Sequence, residues 1–79
     1  MSAYTAELEL TFRLRMKFKK VMLQDPIYHT DFQNRLYVGL YFKTGKFFME
    51  TPINWFHNLD KTVSLIQSQY LAYRLQGKI

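Results

Sequence analysis

One side of a single alternating segment carries most of the residues in this chain that could do chemistry: Arg35, Tyr37, Gly39, Tyr41 and Lys43. Unpaired nucleic-acid bases stack on exposed rings, each contributing about 1–3 kcal/mol, while cations neutralise the phosphates. Tyrosine is also a favoured strand residue whose ring often does no more than cover its neighbours, so the pattern has a purely structural reading as well. Arg13, Arg15, Lys17, Lys19 and Lys46 would extend the cationic set.

A second grouping places His29 between Asp25 and Asp31, which could hold a metal or a general base. Three polar residues in a turn are more often solvated turn formers. His57 has no second histidine at helical spacing. Without a cysteine, a glycine-rich phosphate loop or a serine in an elbow context, nothing supplies the nucleophile, base and orienting group of an active site. The expectation is a non-enzymatic binding protein with no cofactor, no metal and no small-molecule substrate.

Composition bounds the rest. The 79 residues make a single domain (1–79), of a size that buries only about 60–65% of its unfolded surface. With no cysteine to form a disulfide, self-association is the expected source of extra stability, and a reducing, cytoplasmic setting fits. The apolar share of 48% and aromatic share of 18% are too rich for disorder. No apolar run approaches the roughly 18 residues of a membrane span, and Glu7 and Glu9 stand where a secretory leader would be basic and then apolar. The net charge of +5 favours an anionic partner such as nucleic acid, an acidic protein or a membrane surface without choosing among them; the expected partner is single-stranded nucleic acid or an acidic, nucleic-acid-handling protein, with a membrane surface ranked lower and no membrane expected.

The elements that must position these residues follow from periodicity. From Glu7 to Lys19 apolar and polar residues alternate, with Leu8, Leu10, Phe12, Leu14, Met16 and Phe18 on one side, which predicts a strand. Extended, it would reach roughly 43 Å, so it should bend or leave its own subunit. Residues 25–34 read as a connection with room for one short strand. Arg35 to Lys43 alternates again, Thr44-Gly45 turns, and Lys46 to Thr51 completes a hairpin. Thr51-Pro52 then opens a helix that runs to Gln76 and stops at Gly77.

On that helix Trp55, Phe56, Leu59, Val63, Ile66, Tyr70 and Tyr73 fall in one stripe about 100° wide, expected to face the sheet. Leu65 and Ala72 lie on another side, where a second subunit is expected. The fold class is α+β: an antiparallel sheet of three to four strands with one long C-terminal amphipathic helix on one face.

Two resemblances bear on function. Leu36-Tyr37-Val38-Gly39-Leu40 resembles the shorter aromatic strand motif of RNA-recognition-motif domains, but the elements that must follow it have no room here. Gly45-Lys46 followed, after four residues, by Thr51-Pro52-Ile53-Asn54-Trp55 resembles the strand-to-helix junction of the positive cofactor four family. That resemblance covers about eleven residues of 79 and departs from the pattern at Phe47 and Phe48. It implies a β-β-β-β-α dimer that binds single-stranded DNA on a curved sheet.

The expected function is therefore single-stranded nucleic-acid binding through the basic and aromatic sheet face. The alternative is a small protein-interaction factor, of phage or mobile-element type, that covers a surface of a host or defence complex. Dimerisation has two candidate routes. One is antiparallel pairing of two first strands about Thr11, setting Glu9 against Arg13 and Glu7 against Arg15; the other is through Leu65 and Ala72.

Overall fold

The structure, a computed structural model, describes residues 3–18, 23–53 and 59–78. Its order is α1 (Ala3–Lys17), β1 (Ile27–Thr30), β2 (Leu36–Tyr41), β3 (Phe47–Pro52) and α2 (Leu59–Leu75). The strands form an antiparallel meander, β1-β2-β3, and α2 lies on one face of it, as the α+β reading requires.

The segment read as a first strand is a helix. Every second residue of it is apolar, but every fourth one lies inside: Ala6 and Leu10 are 0% exposed and Leu14 5%, whereas Leu8, Phe12 and Met16 are 56%, 62% and 58% exposed. The alternating set contains a helical subset, and only that subset is buried. Ala, Leu, Glu, Arg, Met and Lys, which make up most of the segment, are also strong helix formers. Glu9 pairs with Arg13 one turn away at 2.9 Å, and Arg15 and Lys17 occupy the last turn, where the helix dipole favours cations. The 43 Å strand therefore does not exist, and the pairing of two copies through Glu7, Glu9 and Thr11 has no strand to act on.

The expected hairpin is present, and a second one precedes it. In the β2–β3 connection Gly45 NH donates to Phe42 O (2.8 Å), Phe42 NH donates to Lys46 O (2.9 Å), and Gly45 takes φ 92°. In the β1–β2 connection Asn34 NH donates to Asp31 O (2.9 Å), Asp31 NH donates to Arg35 O (3.1 Å), and Asn34 takes φ 63°. Both turns close in five residues with the fourth left-handed, a conformation that glycine and asparagine tolerate.

Strand β3 carries a bulge. Tyr41 pairs with Phe47 but Leu40 pairs with Met49, so Phe48 is the extra residue. Phe48 is buried and Met49 packs against the core, so two successive residues point inward. At the other end Ile53 NH donates to Leu36 O at 2.9 Å, and alternation turns position 52 toward the outer edge. Proline has no amide to leave unpaired there, which suits an edge strand.

The core lies between the sheet and both helices: Leu36, Val38, Leu40, Phe42 and Phe48 from the strands, Leu10 and Leu14 from α1, and Leu59, Ile66 and Tyr70 from α2. Tyr70 meets Phe18 and Phe48 edge-on, with ring centroids 5.4 and 6.2 Å apart. The inward stripe of α2 matches the expected one from Leu59 to Tyr73, although the helix begins later than predicted because Thr51-Pro52 belongs to β3. Trp55, Phe56 and His57 lie outside the described residues. The helix ends as predicted, with Gly77 (φ 72°) donating to Arg74 O and Lys78 to Tyr73 O, both at 3.0 Å.

Candidate functional site

With both helices on one side, the other face of the sheet is uncovered among the described residues. Strand alternation sends Tyr37, Gly39 and Tyr41 to it from β2. The register adds neighbours in three rows: His29, Tyr37 and Pro52; then Ile27, Gly39 and Glu50; then Tyr41 and Phe47. Ile27, His29, Phe47, Glu50 and Pro52 are exposed, and both tyrosines are half-buried.

The rings form two separate pairs. His29 and Tyr37 stack at 5.3 Å with planes 10° apart, and Tyr41 meets Phe47 edge-on at 5.6 Å and 71°. Between the pairs lies Gly39, itself buried by its neighbours. A Cβ placed there would stand 3.8 Å from both Glu50 Oε2 and the Tyr41 ring and 3.5 Å from Ile27 O. Glu50 Oε2 is also 3.8 Å from His29 Nδ1.

The expected cations do not gather on this face. Arg13 and Arg15 sit on α1, in the opposite layer: Arg13 bonds Glu9 and Asp60, and Arg15 grips Asp25 with two hydrogen bonds of 2.6 and 3.0 Å. Lys17 is exposed on the same helix, and Lys19 lies outside the described residues. Arg35, at the start of β2, donates to Asp31 at 2.9 Å. Lys43 and Lys46 are exposed at the β2–β3 turn; Lys46 precedes Phe47 in the chain, while Lys43 lines a cavity with Leu14, Arg15 and Asp25 on the helical side. The face thus has an uncharged aromatic centre with one carboxylate, Glu50, and basic residues at its ends.

The His29, Asp25 and Asp31 grouping is dispersed: Asp25 goes to Arg15, Asp31 to Arg35, and His29 to Glu50. Hydrogen bonds hold both aspartates below the usual carboxylate range, from the Arg15 side chain for Asp25 and chiefly from the Arg35 amide for Asp31. No cluster of three or more metal-ligating side chains forms among the described residues. No described helix is long and apolar enough to cross a membrane.

Leu65 and Ala72, the other dimer candidates, lie on α2 away from the core, the first exposed and the second half-buried. Glu7, Glu9 and Thr11 are half-buried on α1, where Thr11 Oγ1 bonds the Tyr28 hydroxyl at 2.8 Å. Phe47 and Glu50 were absent from the expected site. The hairpin turn alone would set Met49 opposite Gly39, and the bulge at Phe48 replaces it with Glu50.

Comparisons with protein-family models, with curated proteins and with solved structures find no match. The order α-β-β-β-α differs from the β-β-β-β-α that the positive cofactor four resemblance implies, because α1 stands where a strand would be needed.

Proposed function

We propose that this chain is a non-enzymatic protein-interaction factor whose contact surface is the open face of its sheet. The observation that carries this is the join of Ile27, Tyr37, Tyr41 and Phe47 in one uncovered patch, with basic residues only at its margin. Protein interfaces have that anatomy, an aromatic, charge-poor centre inside a polar rim, and tyrosines there carry a disproportionate share of affinity. Nucleic acid asks for a different layout, with cations along the path of the phosphates; here Glu50 occupies the middle and Arg13, Arg15 and Arg35 face carboxylates. The factor would act by covering a surface of its partner, as an inhibitor does. Self-association through the side of α2 that bears Leu65 and Ala72 is a further part of this reading.

Single-stranded nucleic acid is the second reading, favoured by exposed Lys46 next to Phe47 at the edge of the aromatic face and by the net charge of +5. Two measurements separate them. Capture from nuclease-treated lysate should give a stoichiometric protein that a Tyr37→Ala, Phe47→Ala double variant loses and a Leu75→Ala variant keeps. A short oligonucleotide should bind negligibly at about 50 mM salt; clear binding there that falls steeply by about 200 mM would overturn the protein reading.

A further inference from the structure

Beside the last turn of α1, a cavity of about 520 Å³ opens between the helix, residues 23–26 and β2. Its volume is that of an ordinary small-molecule site, about 300–1,000 Å³. Leu14 and Leu40 close the bottom, being 5% and 1% exposed, and Phe18, Leu23 and Pro26, all half-buried, turn part of their surface to it. The walls are held on both sides: Phe18 NH donates to Leu14 O at 2.8 Å, Gln24 NH donates to Tyr41 O at 2.9 Å, and the Gln24 side-chain amide donates to Phe42 O at 3.1 Å. Arg15 and Asp25, both exposed and joined by two hydrogen bonds, link the helix to the segment opposite it.

Two properties of the lining select a ligand. Apolar side chains offer water few hydrogen-bond partners, so an apolar group that takes its place gains affinity. The charges, by contrast, leave a surplus: Arg15 and Asp25 neutralise each other, while Lys43 makes no ion pair and no side-chain hydrogen bond among the described residues. Arg15 also spends only Nε and Nη2 on Asp25, so its third nitrogen, Nη1, keeps its donors. We infer that this cavity binds a small amphiphilic monocarboxylate, with its chain against Phe18 and Leu23 above the Leu14–Leu40 floor and its head at Lys43. One surplus positive charge matches a monoanion. A neutral chain forgoes the ion pair, and an ammonium meets Lys43 as a like charge. The cavity lies on the helical side of the sheet, so its ligand is independent of the role of the open face.

The test is an NMR titration of the full chain with hexanoate, acetate, 1-hexanol and hexylammonium. Hexanoate should give saturable shifts centred on Leu14, Leu23, Leu40 and Lys43, with a dissociation constant on the order of 1 mM. Acetate, which lacks the chain, should bind at least about tenfold more weakly, 1-hexanol about fivefold more weakly, and hexylammonium more weakly than 1-hexanol. Lys43→Gln, which removes the charge at an exposed turn, should cost hexanoate about fivefold and leave 1-hexanol unchanged. Leu23→Trp fills the cavity and should abolish the local shifts; if that variant does not fold, Lys43→Gln decides alone. Glu50→Gln on the open face should change nothing. Binding of 1-hexanol, hexylammonium or acetate as tight as that of hexanoate would overturn the inference. So would shifts centred on Leu65 and Leu71 of α2, indifference to Lys43→Gln, or no saturable shift by about 20 mM hexanoate.

Discussion

Tyr28 ties the N-terminal helix to the edge strand. Its hydroxyl reaches Thr11 Oγ1 at 2.8 Å and donates to Glu7 O at 3.1 Å, bonds that span 17 and 21 residues of chain. Tyr28→Phe removes both and leaves Thr11 without its partner, so it should cost about 1 kcal/mol and lower the melting temperature by about 4–8 °C in a domain of this size. Thermal unfolding followed by circular dichroism checks this. Burial pushes the Tyr28 phenol above its ordinary value of 10.0. A group whose pKa is raised on folding stabilises fully below its unfolded value, and that contribution is lost as pH climbs through the folded one. The parent chain should therefore lose stability above about pH 10 more steeply than the Phe variant, which has no phenol to ionise at this position.

Among the elements, α1 separates two readings of one pattern most sharply. A strand places Leu8 and Leu10 on the same face; the helix places Leu10 in the core and Leu8 in solvent. Leu8→Asp should change stability by no more than about 0.5 kcal/mol, whereas Leu10→Asp buries a charge and should leave the chain unfolded by circular dichroism. Equal effects would return the segment to a strand. The β2–β3 hairpin and the end of α2 were legible because their signals are local: Gly45 and Gly77 mark chain reversals, and alternation in β2 met no competing period. The segment from Glu7 to Phe18 was misread because alternation dominated, although its residue types and the Glu9–Arg13 spacing already favoured a helix. The first hairpin was missed because Asn34 rather than glycine supplies its left-handed residue. Tyr37 and Tyr41 were found for the candidate face, but their neighbours depend on the Phe48 bulge, which no local signal announced.

At the scale of the molecule, the layers separate charge from aromatic surface. Arg13, Arg15 and Lys17 are on the helical side, while the uncovered rings are on the sheet side. Leu65, Leu71 and Leu75 remain exposed along α2, more apolar surface than a solitary surface helix ordinarily shows. Sedimentation should reveal concentration-dependent self-association that Leu65→Glu weakens. Glu7→Lys with Glu9→Lys should leave it unaltered, because no intermolecular strand involves those residues.

The alternating pattern of α1 also bears on how the chain comes off the ribosome. α1 emerges before the strands it packs on, from Ile27 onward, and before its Asp60 contact. During that interval its residues carry two competing instructions, since the alternation suits an extended hairpin partner while the residue types and the Glu9–Arg13 spacing favour the helix that the finished sheet then rewards. Such a conflict between local and global signals is frustration in the landscape sense, and it exposes an unpaired, apolar, strand-competent stretch to neighbouring nascent chains. Leu8, Phe12 and Met16, which the folded domain leaves outside, are half of that stretch. Replacing these three with polar helix formers should relieve the conflict at little cost to the finished fold, and should raise the soluble yield on synthesis more than the melting temperature.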